Sequence, residues 1–288
     1  MIRFISLLIL LLSGAKMAAG DYPDFYNTIG TLPEQGIVNI PKDVYTLDLD
    51  KRGSFNITGK KNLHINGNGS TLICNKQTTA FHFNNCENVT FSDFFIEYDS
   101  PCSTQGTITG ISNGNKTLEV EIHEGYPMLD PSLTQSSILI YDGETKELVK
   151  NFHSTYAASA IQVDNETRKV TLDIGGAKSG VYKVGDYIDF NNVNGGGHAI
   201  ITEYSKNTKF EKITLYDSPS MGFVEGGCEN SHYYQCEINR KRNHPGRPIE
   251  QLRSARADGF HCKFDVVGPT IEECTVKYQG DDVVNISG

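Results

Sequence analysis

Long apolar runs are missing from this sequence. The longest, ISLLILLL from Ile5 to Leu12, holds eight residues, whereas an α-helix needs about 20 to cross a bilayer. Clustered lysine and arginine are scarce as well, and the formal net charge is −9. That balance argues against nucleic acid and anionic membranes as partners, since both demand dense positive charge. Neutral sugars and small polar ligands remain. No CxxC pair or His/Cys cluster has the spacing of a zinc site, so no metal or other cofactor is expected. The seven cysteines, Cys74, Cys86, Cys102, Cys228, Cys236, Cys262 and Cys274, are odd in number and irregular in spacing. They form no disulfide framework and read as small buried hydrophobes. Long amphipathic helical stretches are absent, as are the signature residues of leucine-rich repeats and propellers. Tryptophan does not occur at all.

The short apolar run has a purpose of its own. Arg3 precedes it and AKMAAG comes after it, the layout of a cleaved export signal over residues 1–20. Cleavage is expected between Ala18 and Asp21, releasing a periplasmic or secreted protein with no membrane insertion. No cysteine stands at the cleavage zone to carry a lipid. With 38% hydrophobic residues, the chain can bury one large core, with room for an insertion.

Short β-branched and aromatic runs bounded by Gly, Asn and Asp dominate the mature chain. Two of them repeat. AFHFNNCENVTF begins at Ala80 and GFVEGGCENSHY at Gly222; both place Phe second and Cys-Glu-Asn at the seventh to ninth positions. A looser copy starts at Gly259, and YDSP occurs at Tyr98–Pro101 and Tyr216–Pro219. Each copy reads as strand, turn, strand, and one such unit cannot bury its apolar face alone, so the units must stack. The expected fold is all-β: a right-handed parallel β-helix. Its first coils span residues 21–101. Residues 102–194 read instead as antiparallel hairpins around Asp-Gly and Asn-Glu turns, an inserted barrel-like β-domain. Coils resume over 195–288. A basic loop from Asn239 to Arg256, with Arg240, Lys241, Arg242, Arg247 and Arg253, interrupts them. It reads as a solvated loop or as a rim facing the leaving-group side of a substrate.

The most informative stretch is DGFHCKFDVVGPTIEECTVKYQGDD. Asp258 opens it, and Asp281 and Asp282 close it 23 and 24 residues later, the length of one coil. With Phe260 and Cys262 inward, alternation sends His261 outward and Asp258 inward, unless the chain bends at Gly259. Laying Val284 and Ile286 over Phe260 and Cys262 puts Asp282 above Asp258. Adjacent strands are about 4.8 Å apart, so the three carboxyls meet. Crowding separates their pKa values, as glycoside hydrolysis requires of its acid and base. Turn-forming and calcium-binding roles fit the same residues.

ADGFHC followed one coil later by GDDVVNISG resembles the active-site strands of β-helical glycosidases, polygalacturonases among them, although those read Asn-Thr-Asp where this chain has Arg256-Ala257-Asp258. With TQGTI (Thr104–Ile108), EGYP (Glu124–Pro127), GGGHA and LYDSPSMGF, the chain more closely resembles glycoside hydrolase family 110, bacterial exo-acting α-1,3-galactosidases that include enzymes removing the blood-group B galactose. The resemblance implies an inverting mechanism on a terminal α-galactoside of a glycan, without a metal. Asp258 then resembles the general acid, and Asp281 and Asp282 the pair that activates water. His261 and Asn285 are candidates to bind sugar hydroxyls, with Glu225, His198 and Arg256 as further candidates. Family members continue with further coils, so a C-terminal truncation that leaves the last coil open is expected. A polygalacturonase-like hydrolase, a calcium-dependent pectate-lyase-like enzyme and a noncatalytic glycan-binding β-helix are the alternatives.

Overall fold

The computed structural model describes residues 22–133, 135–150, 152, 155–174, 181–190 and 196–288; the expected export signal lies outside them. The described chain is almost entirely β. One sheet holds six parallel strands, in spatial order Val284–Ser287, Phe260–Lys263, Phe223–Gly226, Ile200–Glu203, Phe81–Asn84 and Phe55–Thr58. A second parallel sheet runs through Leu63–Cys74, Thr90–Tyr98, Lys209–Leu215, His232–Tyr234 and Thr270–Glu272. From Phe55 onward the chain visits the sheets in alternation, so each passage stacks on the one before.

Register explains the sequence repeat. Phe81, Ile200, Phe223, Phe260 and Val284 are consecutive partners across the first sheet. The first four are buried, and the rings of Phe223 and Phe260 stack 5.1 Å apart. At the corners, Asn62, Asn88, Asn207 and Asn230 all adopt left-handed φ angles of 52–56°, a region that asparagine tolerates better than most residues. Their amides hydrogen-bond in a row, at 2.9, 2.9 and 3.4 Å. Asn88 and Asn207 are neighbours in this row although 119 residues separate them.

Between those two asparagines the chain forms a closed antiparallel barrel of six strands, Thr104–Ser112, Thr117–Ile122, Gln135–Tyr141, Thr155–Asp164, Lys169–Asp173 and Tyr187–Phe190. Ile108, Val120, Ile138, Ile140, Val170 and Ile188 belong to a core distinct from that of the sheets. The basic loop joins the two bodies, and only part of it is solvated: Arg242 is exposed. Its arginines 240, 247 and 253 are buried. Arg253 forms an ion pair with Asp189 of the barrel, Arg240 lies 3.8 Å from the Tyr278 ring and Arg247 lies over Tyr126. The Leu252 amide donates to Gln105 Oε1 at 2.9 Å.

A helix at Tyr22–Gly30 covers one end of the stack, which the strand pattern did not anticipate. At nine residues it offers too little periodicity to read. Tertiary packing holds it, because Phe25 meets Phe55 edge-on at 5.5 Å and Tyr45 at 5.2 Å. No helix among the described residues is long and apolar enough to cross a membrane.

Candidate active site

Two glycines fix the backbone of the acidic cluster. A Cβ at Gly259 would lie 2.7 Å from Val276 Cγ1 and 2.8 Å from the Val283 oxygen. One at Gly280 would lie 2.2 Å from the Arg256 oxygen and 3.4 Å from Arg253 Nη1. Only glycine lets the coils approach so closely. The Gly222 amide donates to the Asp258 oxygen and the Gly259 amide to the Asp282 oxygen, both at 2.9 Å. With Phe260 paired to Val284, Asp258 and Asp282 each stand two residues before their strands, side by side.

One carboxylate oxygen from each of Asp258, Asp281 and Asp282 lies within 4.8 Å of the others. Such closeness of the nearest oxygens fits the roughly 5–5.5 Å between carboxyls of retaining glycosidases better than the roughly 6.5–9.5 Å of inverting ones. It would also suit a hard cation. The three acids differ in surroundings. Asp258 is 3% exposed, so the bend at Gly259 does not carry it out to solvent. Its Oδ2 lies 2.7 Å from His261 Nδ1. Asp281 and Asp282 are exposed. Partial burial, then the charges of Asp258 and Asp282, push the Asp281 carboxyl above the usual range. Asp281 therefore retains its proton more readily than an isolated aspartate would.

The neighbouring candidates divide into two groups. Asn285 donates from Nδ2 to Asp282 Oδ2 at 3.3 Å, and it is the strand partner of His261. His198 accepts the Met221 amide on Nδ1 at 3.3 Å. Burial and the nearby His261 push its imidazole down, against the pull of Asp258, which places it beside the acids. Arg256 is half-buried, and its carbonyl packs against Gly280. Glu225 lies apart from them. It is the strand partner of Cys262, is 1% exposed and faces the interior, where it accepts the Tyr233 hydroxyl. Burial pushes its carboxyl up to about 7. From there it cannot reach a sugar bound at the three acids. Arg253, by sequence one more basic loop residue, supports the turn before Asp281 from within.

No family model matches the chain. Among curated proteins it is 23% identical over 241 residues to alpha-1,3-galactosidase B of Bacteroides thetaiotaomicron, covering 78% of this chain and 38% of that protein. To alpha-1,3-galactosidase A of Shewanella woodyi it is 22% identical over 254 residues, covering 82% and 40%. To alpha-1,3-galactosidase A of B. thetaiotaomicron it is 31% identical over 99 residues, covering 34% and 17%. The resemblance read from the motifs is thus found across most of the chain, which spans about two-fifths of the length of the first two relatives. Among solved structures, a putative glycosyl hydrolase from Parabacteroides merdae aligns over 92% of this chain and 82% of its own at 10% identity, with a TM-score of 0.31. The tailspike protein gp49 of Pseudomonas phage LKA1 aligns over 88% and 50% at 13% identity, with a TM-score of 0.19. Both scores are too low to carry weight.

Proposed function

We propose that this relative of the bacterial α-1,3-galactosidases carries the catalytic centre of an exported, exo-acting glycoside hydrolase that releases terminal α-1,3-linked galactose with inversion, on a right-handed parallel β-helix. The observation that supports this most directly is the meeting of Asp258 with Asp281 and Asp282 across adjacent strands.

Asp258 acts as the general acid. It gives its proton to the glycosidic oxygen as that bond breaks, and His261 Nδ1, 2.7 Å from Asp258 Oδ2, orients the carboxyl. Asp281 and Asp282 hold the water. Two oxygens up to 4.8 Å apart both reach one water at about 2.8 Å each. As the bond from C1 to the leaving oxygen breaks, that water loses a proton to the pair and attacks the opposite face of C1. The products are β-galactose and the free acceptor. Asn285 and His198 border this space and are suited to sugar hydroxyls.

Proton NMR of the reaction on Galα1-3Gal tests the reading, with β-galactose expected as the first anomer. If α-galactose appears first, the enzyme retains, as the short carboxyl gap would permit, and the role given to water is wrong. Calcium-dependent cleavage with an unsaturated product would replace the hydrolase with a lyase.

A further inference from the structure

We infer that Glu225, Cys262 and Asp265 form a binding site for a divalent transition metal of the zinc class, inside the stack and apart from the acids of the cleft. Cys262 stands four residues beyond Asp258 on its strand, about 13 Å along.

The column that runs Phe83, Thr202, Glu225, Cys262, Ile286 starts on the buried Phe83, is polar in the middle and ends on Ile286, which is exposed. Thr202, Glu225 and Cys262 are each 1% exposed. Each of the two acids has one oxygen held and one free. Tyr233 donates to Glu225 Oε2 at 3.0 Å, and the Cys228 amide donates to Asp265 Oδ1 at 2.8 Å. Glu225 Oε1, Asp265 Oδ2 and Thr202 Oγ1 have no hydrogen-bond partner. One ligand atom from each of Glu225, Cys262 and Asp265 lies within 4.8 Å of the others.

A buried Glu225 carboxylate beside the half-buried Asp265 is costly, and something must neutralise the pair. A shared proton could link Glu225 to Asp265, but it would leave Thr202 Oγ1 without a partner. A metal ion takes a donor from each residue and keeps a fourth position toward Thr202. The mixed oxygen and sulfur set excludes calcium and magnesium and suits zinc, whose ligands would draw in to about 3.5 Å from one another. The two held oxygens are the outer contacts that orient such ligands. On binding, the Cys262 S–H bond breaks, its proton goes to solvent and the sulfur lone pair forms the bond to the metal.

The test is titration of the metal-stripped chain with zinc chloride by calorimetry and with cobalt chloride by absorption. One equivalent should bind, and cobalt should give a thiolate charge-transfer band in the near ultraviolet. Cys262→Ser, a nearly isosteric change, should abolish the band. Glu225→Gln should weaken binding about tenfold or more, and Asp281→Asn should leave it unchanged. Absence of binding would show that a shared proton suffices and would overturn the site. A band that survives Cys262→Ser, or binding lost in Asp281→Asn, would do the same by placing the ion on other cysteines or on the cleft acids. Should Glu225→Gln fail to fold, the wild-type spectrum and Cys262→Ser still decide.

Discussion

The two acids that matter most, Asp258 and Asp281, should fail in different ways when changed. Asp258→Asn removes the proton donor, so activity on natural galactosides should fall about 10²–10⁴-fold. Activity on an aryl galactoside with a good leaving group should fall far less, because that oxygen needs little protonation. Asp281→Asn should depress both substrates alike, since attack by water suffers whatever departs. Steady-state kinetics of the two variants on the two substrates check this, and equal patterns would dissolve the division of labour. These acids are legible in the sequence because one coil of spacing predicts one strand of separation. The parity that sends Cys262 inward also sends Glu225 inward, two residues past Phe223, so its interior position is readable from alternation. The donors around it and Asp265 are not, because the hydroxyl of Tyr233 reaches Glu225 and the amide of Cys228 reaches Asp265 by tertiary contact.

At the level of elements, turn residues and repeats are readable, but partners distant in sequence are not. A count of charges marks Asn239–Arg256 as solvated. Only the folded chain brings Arg253 to Asp189, both buried. Burial pushes the Asp189 carboxyl up to about 6 even with Arg253 holding it down. Arg253→Met should therefore cost about 3–5 kcal/mol at neutral pH, by leaving a buried acid without its cation. Adding Asp189→Leu should restore most of the loss. Urea denaturation of the single and double variants measures both, and a double variant no better than the single would show that the pair is not the source. The helix at Tyr22–Gly30 escapes a sequence reading for the opposite reason: its stability comes from packing against Tyr45 and Phe55, not from its own pattern.

For the molecule as a whole, one junction links the barrel's entry to the sheets. The Asp217 carboxylate accepts the amides of Cys102 and Ser218, each at 2.8 Å. Burial nevertheless pushes it from 3.8 up to about 7, although those amides, Arg247 and Arg253 pull it down. Its folded-state pKa lies above the unfolded one, so its contribution is full below about pH 4 and is lost as pH rises toward 7. A shift of that size corresponds to about 4 kcal/mol. Thermal melts should show the wild type losing stability over this range relative to Asp217→Asn; parallel curves would remove Asp217 from the account. The row of corner asparagines bears on descent as well. Because the chain leaves and rejoins between Asn88 and Asn207, positions 119 apart, without breaking it, lineages can exchange whole modules at this corner while the scaffold stays intact. Loss of a single residue between Phe260 and Val284 would instead turn Asp282 to the other face, so evolution can add freely around this cleft but can hardly recount the chain that crosses it.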